Sequence, residues 1–454
     1  MKMNLTLMKF MVMDTISRKN FIKNSAFAMA GLAVLGTDTT SAAVGISDVN
    51  MANGAKLLFK NVLLETGFEY NQNGIVTATK TGLFCIEIEK GKITKIAANQ
   101  PQLKNAIDAK GFLMLPSFKD MHIHLDKTFY GDKWQAVRRS GGGIKGMIAL
   151  EQQMLPEMLR NSTYKAEKLI ELLQSKGTAF ARSHVNIEPT SKLNSLKNLQ
   201  IALDNKKKSF GAELVAFPQH GVFYTDSAAY LKEAAQSDID FIGGLDPFTV
   251  DGAIEKTIDF TVQLALDHQK GIDIHLHESG ESGLKTIEYL VDKVNENPTL
   301  KGKTYVSHAF ALARAEKGRL TEMIKRLAEA KVGIVSTIPL GSLMPIPSLL
   351  GMNVEVLTGN DSIVDHWNTF GTGSVLQKAN LAAQVYGQVG EFELSRMLGL
   401  ATGNVLPLNS KGEQQWPKVG DEANLALLEA SCSAEAVSRI SDVKSLIYEG
   451  NVVF

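Results

Sequence analysis

Two histidines, His122 and His124, stand two residues apart in the segment FKDMHIHLDK at 118–127, just behind the apolar run GFLMLP at 111–116. Residues i and i+2 of a β-strand point to the same face, so this pair of imidazoles can grip one divalent cation. Three later segments share the pattern of a short apolar or β-branched run that ends in metal-binding or proton-carrying residues. They are GIDIHLHE at 271–278, KTYVSH at 303–308 and VEVLTGND at 354–361. In a barrel of parallel strands, side chains at the carboxyl ends of different strands converge on one mouth. His122, His124, His275, Glu278, His308 and Asp361 can therefore meet although they span most of the chain. Spacing alone does not choose between His275 and His277, which share a strand face.

Such a set can do hydrolysis. A divalent ion held by neutral imidazoles and a carboxylate keeps a position open for water and lowers that water's pKa toward neutrality. Hydroxide is then available at pH 7 to attack an electrophilic ring or amide carbon. A carboxyl group must carry a proton to the departing nitrogen, because an amide anion leaves poorly. Asp246, at the exit of the fourth predicted strand, is placed either to meet a cationic or amidine-like group or to cap a helix.

The motifs HIHLDK at 122–127, ARSHVNI at 181–187, VAFPQHG at 215–221, IDIHLHE at 272–278, VSH at 306–308 and GNDSIVDHW at 359–367 resemble, in order and rough spacing, the amidohydrolase superfamily. Within it they resemble the cytosine deaminase branch, over about residues 55–454. The resemblance implies that His122, His124, His275 and Asp361 bind one divalent ion, zinc or iron, and it selects His275 over His277. It implies that Glu278 is the proton shuttle and that His308 bonds the attacking water or the oxygen of the tetrahedral intermediate. It further implies that Gln219 reads a ring edge with its amide donor and acceptor, and that Trp367 walls a flat substrate. His184 matches a family histidine on the second strand, with a place in the pocket wall and core hydrogen bonding as its two readings. Ser362 and His277 stand where cytosine deaminase has acids, so cytosine itself is not the expected substrate.

The elements that must position these groups alternate along the chain. Residues 56–64, 82–89 and 91–97 read as strands ahead of the first metal motif. Later strands are predicted from near Thr178, Glu213, Phe241, Ile272, Thr304, Gly333 and Val354, separated by amphipathic stretches such as 165–174 and 320–330. Strands alternating with helices imply a parallel sheet, and eight of them close into an α/β fold of the (β/α)8 TIM-barrel type. Residues 423–428 and 445–454 read as strands again, so the two chain ends are expected to combine in a small β-sandwich. The predicted division is 44–112 and 406–454 for that sandwich and 113–405 for the barrel. The glycine run SGGGIKG at 140–146 lacks the Lys-Ser/Thr ending of a phosphate loop and is expected as a mobile lid. Cys85 and Cys432 fall one in each chain end, as a bridge or as two buried thiols.

With 454 residues and 44% hydrophobic content the chain can bury a large core. Its formal net charge of zero excludes the basic excess that would attract nucleic acid. The basic segment at 17–23, the small and apolar stretch at 25–36 and Ser41-Ala42-Ala43 form the three regions of an export signal. That apolar stretch is shorter than the roughly 20 residues of a stable anchor. Residues 1–43 are therefore predicted to be removed, leaving an exported, periplasmic chain without a membrane anchor. The leader resembles a twin-arginine signal in which Lys19 replaces the second arginine. The expected function is metal-dependent hydrolysis of a non-peptide C–N bond, deaminating a cyclic amidine or nucleobase-like ring through metal-activated hydroxide. Hydrolysis of an exocyclic N-alkyl or acyclic amide bond is the alternative. A barrel that only binds a small ligand would need neither Glu278 nor the ligand set. The partner is a small-molecule substrate, and assembly into a homo-oligomer stays open.

Overall fold

The computed structural model describes residues 56–136 and 141–454. The predicted export signal at 1–43, and Ser140 at the start of the predicted lid, lie outside the described residues. The chain first lays down β1 (Leu57–Tyr70) and β2 (Val76–Glu89) as an antiparallel pair, with β3 (Lys92–Ala98) antiparallel to β2. The short β4 (Ile107–Asp108) and β5 (Leu113–Pro116) run parallel to β1.

The barrel follows. Its strands are β6 (Phe118–Ile123), β7 (Thr178–Asn186), β8 (Gly211–Phe217), β9 (Phe241–Leu245), β10 (Gly271–His275), β11 (Thr304–Ser307), β12 (Val332–Ser336) and β13 (Val356–Thr358). They pair in sequence order, every pair parallel, and a parallel bridge from Ile123 to Asp361 joins the last strand's exit to the first. Parallel neighbours cannot be joined by a tight turn. Helices such as Ser162–Ser175, Ile254–Asp267 and Glu281–Glu296 make the crossovers.

Side chains alternate along each strand. Outward residues such as Ala216, Ile242, Ile274, Val306, Ile334 and Val356 pack under the helices in the main core. Inward residues Met121, Val215, Phe241, Tyr305, Val335 and Leu357 form a separate cluster that fills the barrel. Burial on both faces explains why these strands read as nearly continuous apolar runs.

The chain then returns through β14 (Leu425–Leu428), β15 (Val443–Tyr448) and β16 (Asn451–Val452), with β14 antiparallel to β5. The two chain ends thus share one mixed sheet of eight strands, separate from the barrel. The apolar run at 113–116 belongs to this sheet, so the barrel's own first strand begins at Phe118 and not at 113. Backbone partners change between adjacent residues: the Ser117 N–H donates to the Asn424 carbonyl at 3.0 Å and the Phe118 N–H to the Gly177 carbonyl at 2.8 Å. Hydrophobicity does not mark that change, because both strands are buried. Cys85 and Cys432 are both buried and free.

Candidate metal centre and catalytic site

Close approach of β13 to β6 builds the centre. A Cβ on Gly359 would lie 2.4 Å from both the N and the O of His122, so only glycine lets the strand exits come this near. Asp120, buried and pushed up to about 6 by that burial, accepts from the Asn360 N–H at 3.0 Å and from its Nδ2 at 2.7 Å. The Asp361 N–H donates to the His122 carbonyl at 2.7 Å. Asp361 is held at φ 65°, and His308 and Asp246 also have positive φ, 68° and 37°. Such backbone costs about 1–3 kcal/mol per residue and gathers at functional sites.

Two hydrogen bonds set the form of the first histidine pair. The Ser307 hydroxyl donates to Asp273 Oδ1 at 2.6 Å, so it must accept from His122 Nδ1 at 2.9 Å. His124 Nδ1 meets the His184 carbonyl at 3.1 Å, and a carbonyl can only accept. Both rings therefore carry a proton on Nδ1 and turn Nε2 to Asp361 Oδ1, at 3.4 Å for His122 and 3.3 Å for His124. Burial holds the His124 imidazole down at about 4, and holds His275 and His308 well below the ordinary value. Neutral imidazole is the ligating form. Ligand atoms of His122, His275, His308 and Asp361 all lie within 4.8 Å of one another. His124 joins them through Asp361. His275 stacks on Phe217 with ring centroids 3.9 Å apart, and neither of its nitrogens has a hydrogen-bond partner among the described residues.

Glu278 stands beside this cluster. Its Oε1 accepts from the Phe248 and Thr249 N–H groups, both at 2.9 Å, while the buried Oε2 has no partner among the described residues. Asp246 uses both oxygens within the protein: Oδ1 accepts from the N–H groups of His277 at 2.6 Å and Glu278 at 3.2 Å, and Oδ2 pairs with His277 Nδ1 at 2.9 Å. The cation it meets is thus His277. Burial alone would lower the His277 pKa, but Asp246 reverses this and raises it.

Buried around Gln219 and Trp367 are residues that sequence reasoning passed over. Lys127 is fully buried; its Nζ donates to Gln219 Oε1 and lies 3.5 Å from Glu151 Oε1. Gln219 therefore keeps its NH2 donors and one lone pair of Oε1 for a ligand. Glu151, on the helix Gly143–Met158 that takes up most of the predicted lid, also accepts from Trp367 Nε1 at 2.9 Å and lies 3.2 Å from His366 Nε2. That bond orients the indole of Trp367. His220 sits between Glu151 and Glu188, at 3.7 and 3.3 Å. Neither nitrogen of His184 is hydrogen-bonded among the described residues, and its ring lies 4.2 Å from that of His122, in the wall behind the ligands. The signal for Lys127 and Glu151 was their charge inside otherwise apolar surroundings, but only the fold shows that they face each other.

No family model matches the chain. It is 46% identical, over 97% of its length and 98% of the other's, to the uncharacterized protein YahJ of Escherichia coli (strain K12). It is 30% identical over 332 residues, 71% of this chain and 80% of the relative, to N-isopropylammelide isopropyl amidohydrolase of Pseudomonas sp. (strain ADP). The structure of N-isopropylammelide isopropylaminohydrolase from Burkholderia multivorans ATCC 17616 matches with a TM-score of 0.75 at 25% identity, covering 88% of this chain and 98% of that one. That of 5-methylcytosine deaminase from Klebsiella pneumoniae matches with a TM-score of 0.73 at 23% identity, covering 88% and 98%. The chain belongs to the amidohydrolase superfamily, in its cytosine deaminase-like branch. This amidohydrolase is a hydrolase of non-peptide carbon–nitrogen bonds. Its barrel carries the His and Asp cluster at the mouth, where the superfamily's chemistry requires a metal-competent group of side chains.

Proposed function

We propose that this amidohydrolase holds one divalent ion, zinc or iron, through His122, His124, His275 and Asp361, and releases an exocyclic amine from a nitrogen heterocycle. The observation that carries the reading is the convergence of two Nε2 atoms on the Asp361 carboxylate at 3.4 and 3.3 Å. His124, held neutral by burial, turns its lone pair to that anion, and the two repel unless a cation lies between them. Ligands of a tetrahedral ion with bonds near 2.1 Å stand about 3.4 Å apart, which agrees with those spacings. When bound, the ion supplies Lewis acidity and an activated water.

The protein's own groups supply the rest. Glu278, held at Oε1 by two N–H groups, keeps Oε2 free to move a proton from the nucleophile to the leaving nitrogen. His308 faces the same space with both ring nitrogens unpaired among the described residues, available to a developing oxyanion. Trp367 offers a flat wall. Gln219 offers its NH2 donors toward a ligand while Lys127 occupies one lone pair of its Oε1, which favours a ring that presents an oxygen acceptor there.

A leaving amine that carries an alkyl group is the second reading. Phe248, whose N–H holds Glu278, is 55% exposed and offers an apolar surface on which a substituent of the leaving nitrogen would rest. Elemental analysis, with an ammonia- and amine-release screen of the metal-loaded protein against pyrimidines, purines and triazines, tests both readings. One ion per chain, lost in His124→Ala, and turnover of an oxo-substituted ring are expected. Two ions per chain, or a variant that keeps full occupancy, would overturn the ligand assignment.

A further inference from the structure

Directly below the metal cluster lies a second inward layer of polar side chains. Strand alternation places Asp273 two residues before His275 on β10, Arg182 two before His184 on β7, and Ser307 two after Tyr305 on β11. Asp273, Ser307 and His122 are fully buried and Arg182 nearly so. A charged pair inside a barrel is costly unless fully bonded, and here it is. The Arg182 guanidinium lies between the rings of Phe241 and Tyr305, 4.1 and 4.2 Å from their centroids, and donates to Glu213 at 2.9 Å and to Asp273 Oδ2 at 3.3 Å. Asp273 Oδ1 takes the Ser307 proton at 2.6 Å, and Ser307 takes the His122 Nδ1 proton at 2.9 Å. The direction of every bond in this line is settled, because guanidinium only donates and carboxylate only accepts.

We propose that Arg182, Asp273 and Ser307 form a positioning chain that locks His122 in its ligating tautomer and sets how firmly the centre holds its metal. This rests on the metal reading above. His124 is fixed by a backbone carbonyl, so no side chain controls its tautomer. His122 is the ligand whose form depends on side chains, and without Ser307 its ring is free to place the proton on Nε2, where it cannot bind a cation. Partners that orient metal-ligating histidines are typically worth 10–100-fold in metal affinity.

The test compares the full-length wild type with Ser307→Ala, Ser307→Thr and Asp273→Asn. Zinc-loaded protein is challenged with a chelator, and the His122 tautomer is read in metal-free, 15N-histidine-labelled protein by long-range 1H–15N correlation. Ser307→Ala is expected to bind zinc about 10–100-fold more weakly and to show a mixed tautomer, whereas Ser307→Thr keeps the hydroxyl and restores both. Asp273→Asn should weaken zinc binding in the same direction; should it fail to fold because Arg182 is left uncompensated, the serine variants decide alone. Wild-type affinity and an unchanged tautomer in Ser307→Ala would overturn the chain, as would equal losses in the alanine and threonine variants. A wild type that takes up neither zinc nor iron would sink the metal reading, and the tautomer measurement would then judge the chain alone.

Discussion

Glu278→Gln separates proton transfer from everything else Glu278 does. Oε1 accepts from the Phe248 and Thr249 N–H groups at 2.9 Å each, and the amide oxygen of glutamine can accept both. Its NH2 then takes the place of Oε2, which is buried and has no partner among the described residues. Shape and support are kept, and the barrel should fold as before. What is lost is a group able to take a proton from the nucleophile and give it to the leaving nitrogen. General acid–base catalysis contributes about 10²–10⁴-fold, so kcat should fall by that factor, equivalent to about 2.7–5.5 kcal/mol at 1.36 kcal/mol per decade. KM should change far less, because the side chain's own contacts persist. The assay is steady-state amine release on the best substrate of the screen, with metal content and thermal midpoint measured on the same preparation. A kcat within about threefold of wild type would refute the shuttle. Loss of the metal would instead make Glu278 a ligand, with His308 the next candidate for proton transfer.

Gln219→Ala should cost about 1–3 kcal/mol in kcat/KM with metal content unchanged; unaltered kinetics would remove Gln219 from the site. Because Lys127 occupies one lone pair of Gln219 Oε1 and Ser362 and His277 stand where the resemblance places acids in cytosine deaminase, cytosine should be turned over more slowly than an oxo-substituted ring, and cytosine ranking first in the screen would count against that. His220 supplies a pH test of the scaffold: burial lowers its pKa, but Glu151 and Glu188 outweigh this and hold it at about 9. A group raised on folding contributes stability that is full below its unfolded value near 6.5 and is lost as pH rises through the folded one. Wild type should lose about 3 kcal/mol more than His220→Gln between pH 6.5 and 9.5; parallel pH–stability curves would contradict it. Export, proposed from residues 17–43, should yield a mature chain starting near Val44 on N-terminal sequencing from the native host, and intact Met1 or Met13 protein in the cytoplasm would argue against it.

The amino-acid sequence by itself determined the barrel and its metal motifs. Strand alternation and convergence at a barrel mouth are local and topological rules, so HIH at 122–124, His275 or His277, His308 and Asp361 could be brought together from periodicity and order, and the family resemblance selected His275. That the two chain ends combine was legible for the same reason, as a small β-sandwich, and the structure joins them in one mixed sheet. What the sequence left undecided were contacts between residues far apart in the chain. An apolar run does not say which sheet it joins, and the segment at 113–116 joined β14 and not the barrel. A lone carboxylate does not say which group it will meet: the sequence left Asp246 between a cationic group and a helix cap, and the fold sets it against His277, while Lys127 and Glu151, 24 positions apart, face each other in the interior. Tautomers are further still from the sequence. That His122 and His124 hold a proton on Nδ1 and turn Nε2 to Asp361 depends on a serine 185 residues away and on one backbone carbonyl, and only three-dimensional packing could say that those acceptors would be there.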